Sequence, residues 1–141
     1  MNVYNVSNPE FKESIFYKEF LDNNPTVGYL KIRAYAASEA LPISNLQVEI
    51  SKTMGDNKII FFSGVTDNSG MIERVTLPTP KLSINDLNVP NNIEYDIKTT
   101  YEGVDTIYKV IMFEGVCVVQ TININPNVGE SWYVIPLFLI I

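Results

Sequence analysis

From Val27 onward, apolar and polar residues alternate with a period of two, the pattern of strands that bury one face and wet the other. In Gly28-Tyr29-Leu30-Lys31-Ile32-Arg33-Ala34-Tyr35, Leu30, Ile32 and Ala34 share one face while Lys31 and Arg33 share the other. Leu46, Val48 and Ile50 repeat the pattern against Gln47, Glu49 and Ser51. Further strands are predicted over 59–65, 71–77, 93–100, 106–113 and 116–124, each bounded by Gly, Asn, Asp or Pro. Seven such strands, with an eighth available in the apolar segment 132–141, predict an all-β, Ig-like β-sandwich. Pro78, Pro80 and Pro90 cannot donate within a sheet, so residues 76–92 are expected to form a surface loop.

The first segment follows a different rule. Asn8 offers an N-cap, Pro9 suits the first helical position, and Glu10 and Glu13 fall in the first turn, so a short helix is predicted over 9–21. Phe11 and Ile15, then Phe16 and Phe20, stand four apart and would form an apolar stripe, until Asp22-Asn23-Asn24-Pro25 stops it. Such a helix either packs on its own domain or serves as an arm that docks on a neighbour. The expected organisation is therefore an arm or short helix over 1–26, a sandwich over 27–126 and an apolar strand over 127–141.

Composition narrows the chemistry. The chain has 141 residues and a net charge of −6, which opposes phosphate backbones and anionic surfaces, so nucleic acid is not an expected partner. Histidine is absent, which removes the commonest general base and transition-metal ligand. Cys117 is the single cysteine, so neither an internal disulfide nor a thiolate cluster can form; flanked by Val116 and Val118, it is expected to be a small buried hydrophobe. No cofactor or metal is expected, and no membrane span, since the stretch 133–141 is about half the roughly 20 residues needed and contains Pro136. The start, Met1-Asn2-Val3-Tyr4, lacks the features of a secretory signal.

Candidate catalytic groups are thin. Glu73, Glu94, Asp96, Glu102 and Asp105 fall on predicted outward faces or strand ends, where solvated surface charge is the expected role. A Ser-His-Asp arrangement is impossible, and no glycine-framed nucleophile or phosphate-cradling loop is present. The sharpest local motif, Asp67-Asn68-Ser69-Gly70, is expected to be a structural turn: Asp67 bonds nearby amides and Gly70 tolerates a positive φ. Its spacing does not fit a calcium loop. Tyr29, Tyr35, Tyr95, Tyr101, Tyr108 and Trp132 could stack on sugars, although packing is the commoner use of tyrosine in strands. The chain is not expected to be an enzyme.

The succession Gly28-Tyr29-Leu30-Lys31-Ile32-Arg33, Leu41-Pro42-Ile43, Leu46-Gln47-Val48-Glu49-Ile50, Thr66-Asp67-Asn68-Ser69-Gly70 and Leu77-Pro78 resembles the carboxypeptidase regulatory-like, transthyretin-like domains. Tyr95-Asp96-Ile97, Phe113-Glu114-Gly115-Val116 and Ile122-Asn123-Ile124-Asn125-Pro126 extend the resemblance to the N-terminal module of clostridial spore cortex-lytic proteins. It implies a non-catalytic sandwich associated with bacterial spores or the cell envelope, and release without a classical signal peptide. Residues 1–26 and 127–141 depart from that pattern.

The near-continuous apolar run Trp132-Tyr133-Val134-Ile135-Pro136-Leu137-Phe138-Leu139-Ile140-Ile141 would aggregate if left in water and must be covered. Covered by its own domain, it is a final strand; covered by another copy, it builds an oligomer or filament. Phe11, Ile15, Phe16, Phe20, Trp132, Val134, Leu137, Leu139 and Ile141 are thus the candidate assembly interface. The leading expectation is a self-associating structural subunit of a bacterial surface or spore assembly; the alternative is an accessory module that binds peptidoglycan or another glycan, with spore-coat components as further possible partners.

Overall fold

The computed structural model describes residues 1–36, 40–83 and 90–124. All seven strands expected from the alternation form: β2 (Thr26–Ala36), β4 (Gln47–Met54), β5 (Asn57–Val65), β6 (Met71–Thr79), β7 (Ile93–Tyr101), β8 (Val104–Met112) and β9 (Cys117–Asn123). Two short strands join them, β1 (Asn2–Asn5) and β3 (Leu41–Pro42). One sheet runs β1-β5-β4-β7-β8; in the other, β2 pairs with β3, β6 and β9. The fold is an all-β sandwich. Its core is the inward set that the period of two marks out, including Leu30, Ile32, Ala34, Ile50, Leu77, Ile97 and Ile122.

The helical segment differs from the single helix expected over 9–21. Helix α1 (Pro9–Lys12) starts on the Asn8 cap and stops after one turn, and α2 (Ile15–Asn23) begins anew. Ser14 causes the break: its hydroxyl donates to the Phe11 carbonyl at 2.6 Å and accepts the Tyr17 N–H, so it caps the second helix while terminating the first. The turn brings Phe11 and Phe20 to the core together, which a single straight helix would not do. Rings then run in an unbroken series, Tyr4 on Phe11, Phe11 on Tyr17, Tyr17 on Phe20, Phe20 on Phe61, and Phe61 edge-on to Tyr95.

β1 completes this attachment by pairing in parallel with β5. Residues 2–24 are therefore built into the sandwich rather than held out as an arm. Phe11, Phe16 and Phe20 are corrected accordingly: the first and last are buried in their own domain, Phe16 packs against it, and only Ile15 of the expected stripe, 75% exposed, faces water.

Two further expectations change. Pro78 lies inside β6, not in a loop; β6 is an edge strand, so the missing N–H costs no ladder bond, and the Pro78 carbonyl accepts the Tyr95 hydroxyl from the opposite sheet. Cys117 is exposed, because β9 lies at the margin of its sheet and the residue falls on the outward alternation.

Burial, aided by the nearby Tyr17, pushes the Tyr95 phenol far above the usual tyrosine range. A raised folded pKa means that the contribution is complete below the unfolded value of about 10 and is lost as pH rises beyond it. The expected result is alkaline unfolding coupled to Tyr95 ionisation. Tyr95→Phe should flatten the decline in stability above about pH 10, at a cost near neutrality of about 1 to 3 kcal/mol for the abandoned carbonyl. Urea melts across the alkaline range check both effects.

Candidate assembly interface

Strand addition needs an edge whose backbone groups are free and whose side chains do not repel a partner. β8 pairs with β7 and β9 with β2, and neither has a second strand neighbour among the described residues. The short connection Phe113–Val116 carries the chain from one to the other, anchored by the Gly115 N–H to the Val27 carbonyl at 2.8 Å. Among the described residues, one margin of the sandwich therefore presents two open edges, one from each sheet.

The edges are not equivalent. β8 carries Asp105 and Lys109, the latter 2.6 Å from Asp96 on the neighbouring strand. β9 reads Cys117-Val118-Val119-Gln120-Thr121-Ile122-Asn123, with no charge, proline or glycine to discourage another strand. Val119 is 50% exposed and Val116, just before the strand, is exposed as well.

Backbone register defines what this edge offers. The Tyr29 N–H bonds the Val116 carbonyl, and the Ile124 N–H bonds the Tyr35 carbonyl. In a parallel ladder the intervening bonds alternate, so Val118, Gln120 and Ile122 serve β2 while the N–H groups of Val119 and Thr121 face the open side.

The layer beneath is also incomplete. On the inner face of β8, Val110 and Met112 are buried, whereas Tyr108 is half-buried and Thr106 exposed. Among the described residues, cover over β8 is thus present at one end and lacking at the other.

Of the remaining interface candidates, Trp132, Val134, Leu137, Leu139 and Ile141 lie outside the described residues. Asp67 and Gly70 stand in one turn. The Asp67 carboxylate accepts the Ser69 N–H at 2.8 Å and the Met71 N–H at 3.0 Å, and Gly70 has φ +76. Thr66, not singled out from sequence, is buried beside them: its hydroxyl donates to the Ile43 carbonyl and accepts the Leu46 N–H, tying the turn to the start of β4. The Thr-Asp-x-x-Gly pattern contained that residue, and its role appears once the 43–46 segment folds against it.

The candidate carboxylates do not converge. Asp96 bonds Lys109, Asp105 accepts the Thr100 hydroxyl, Glu73 lies 3.4 Å from Lys31, and Glu102 occupies the β7–β8 turn. Of the tyrosines, Tyr95 is buried and Tyr108 faces inward, while Tyr29 and Tyr35 stand on the outer face of β2.

No family model matches the chain, and no curated protein matches it. Similar solved structures include catechol 1,2-dioxygenase from Pseudomonas arvilla C-1, at 9% identity and TM-score 0.45, covering 76% of this chain and 56% of that one. Another is catechol 1,2-dioxygenase from Acinetobacter sp. ADP1 inhibited by bound mercury, at 12% identity and TM-score 0.39, covering 84% and 47%. This chain spans about half the length of each. The likeness concerns sandwich architecture at a low level and carries no inference about activity. Among the described residues no helix is long and apolar enough to cross a membrane.

Proposed function

We propose that this protein is a non-catalytic structural subunit that self-associates by strand addition, the outer edge of β9 accepting the apolar segment 132–141 of another copy. The single observation that supports this most is the β9 edge, which has no second strand neighbour among the described residues, in a chain that also carries the strongly apolar sequence 132–141. Repeated head to tail, the contact is heterologous and generates a filament. The bacterial surface or spore setting rests on the resemblance to carboxypeptidase regulatory-like domains, and those structures are where the assembly is placed.

Proline substitution tests the acceptor without unfolding it. Val119→Pro and Thr121→Pro remove N–H groups that face the open side, and proline is tolerated in edge strands at such positions. The double variant is expected to keep the circular dichroism of the parent and to sediment as a monomer. Assembly that survives both prolines contradicts β9 as the acceptor.

A further inference from the structure

The outer face of the β6-β2-β9 sheet carries a charge pattern unlike the rest of the protein. The chain has 10 basic and 16 acidic residues. Among the described residues, three of the basic ones, Lys31, Arg33 and Arg74, meet on this face with one acid, Glu73. The two arginines are the only ones in the sequence.

Their placement follows from strand register. Leu30, Ile32 and Ala34 are buried, which puts Tyr29, Lys31, Arg33 and Tyr35 on the opposite face of β2. The register shift between Leu30 and Ile32 gives β6 two residues, Glu73 and Arg74, against one. Arg74 lies over the Tyr29 ring at 4.2 Å and Arg33 over the Tyr35 ring at 5.0 Å, with an Arg33 N–H bonded to the Tyr35 hydroxyl.

Ordinary surface pairing does not account for this. On the outer face of the other sheet, cations find carboxylates: Lys58 is 2.6 Å from Glu49, and Lys109 is 2.6 Å from Asp96. Among the described residues neither arginine has a carboxylate partner. Each guanidinium instead lies against a ring, so part of its rotamer freedom is already lost, and a guanidinium has five N–H donors, of which Arg33 spends one on the Tyr35 hydroxyl.

We infer that this face binds a carboxylate-bearing glycan, with Arg33 and Arg74 gripping separate carboxylates and Lys31 exchanging the exposed Glu73 for the ligand. Two arguments select that chemistry. Tyr29 and Tyr35 are six residues apart, roughly 20 Å along a strand, so the flat face suits an extended chain carrying spaced charges. A protein of net charge −6 repels an extended polyanion at long range, so the fit is to a short acidic oligosaccharide whose few carboxylates all lie within reach of the local cations. The site is separate from the open backbone edge of β9 and stands or falls without it.

Isothermal titration of the full chain with tetragalacturonate, maltotetraose and a single-stranded oligonucleotide tests the inference. Tetragalacturonate is expected to bind, more weakly as salt rises, and maltotetraose to give no signal. Arg33→Gln and Arg74→Gln should each weaken binding about tenfold, and the corresponding Lys variants should recover only part of it, with melting temperatures unchanged. Equal affinity for the neutral sugar, tighter binding of the oligonucleotide, no binding of tetragalacturonate at millimolar concentration, or glutamine variants that bind like the parent would each overturn it.

Discussion

Gly70→Ala is expected to lower stability by about 2 to 5 kcal/mol, combining left-handed strain with overpacking against backbone. Gly70 adopts φ +76, and a Cβ there would stand 2.5 Å from the Ala34 carbonyl oxygen and 3.1 Å from the Ile43 nitrogen. Neither atom can move freely, because the Ala34 carbonyl accepts the Ile43 N–H and the Ala34 N–H donates to Gly70 itself. Gly55 supplies the control: at φ +60, nothing lies within 4 Å of its added Cβ, so Gly55→Ala incurs only the strain, about 1 to 2 kcal/mol. Thermal melts of the two variants should separate by several degrees. Equal losses would mean that conformation alone, not close approach to β2, fixes glycine in the Thr-Asp-x-x-Gly turn.

Phe20→Ala is expected to cost about 3 to 5 kcal/mol, the range for removing a buried aromatic ring. Phe20 lies between Tyr17 and Phe61, and through Phe61 the series reaches Tyr95, whose hydroxyl bonds the opposite sheet. Removing the ring opens a cavity where α2 meets the sandwich. Ile15→Ala, on the wet side of the same helix, should stay within about 0.5 kcal/mol. Chemical denaturation of a monomeric form reads both. A small loss at Phe20 would indicate that the helical segment contributes little to its own domain and would restore the idea of an exchangeable arm.

Much of the fold was legible because alternation is local. Leu30, Ile32 and Ala34 announce β2 by themselves, and Asn8-Pro9 announces a helix start. What escaped depended on distant partners. Asn2-Val3-Tyr4-Asn5 has little apolar alternation and becomes a strand because β5 offers a parallel edge. Phe11 and Phe16 looked like members of one stripe until Ser14 divided the helix. Pro78 looked like a loop residue because its tolerance depends on β6 being an edge, which no local window reveals.

The candidate surfaces were legible only in part. Cys117 read as buried from its valine neighbours, yet its exposure depends on β9 being marginal. Which edges are open depends on which strands lack a neighbour among the described residues, and the seat of Arg74 over Tyr29 follows from a register shift that no local window reveals. The apolar sequence 132–141 and the strand over 116–124 were both plain in the sequence; that the strand stands at the margin of its sheet was not.

Donation of that segment to β9 is read out by the light-scattering mass of purified protein, intact and truncated after Asn127. The intact chain should form polymers and the truncated one a folded monomer. An intact chain that remains monomeric at high concentration would contradict it.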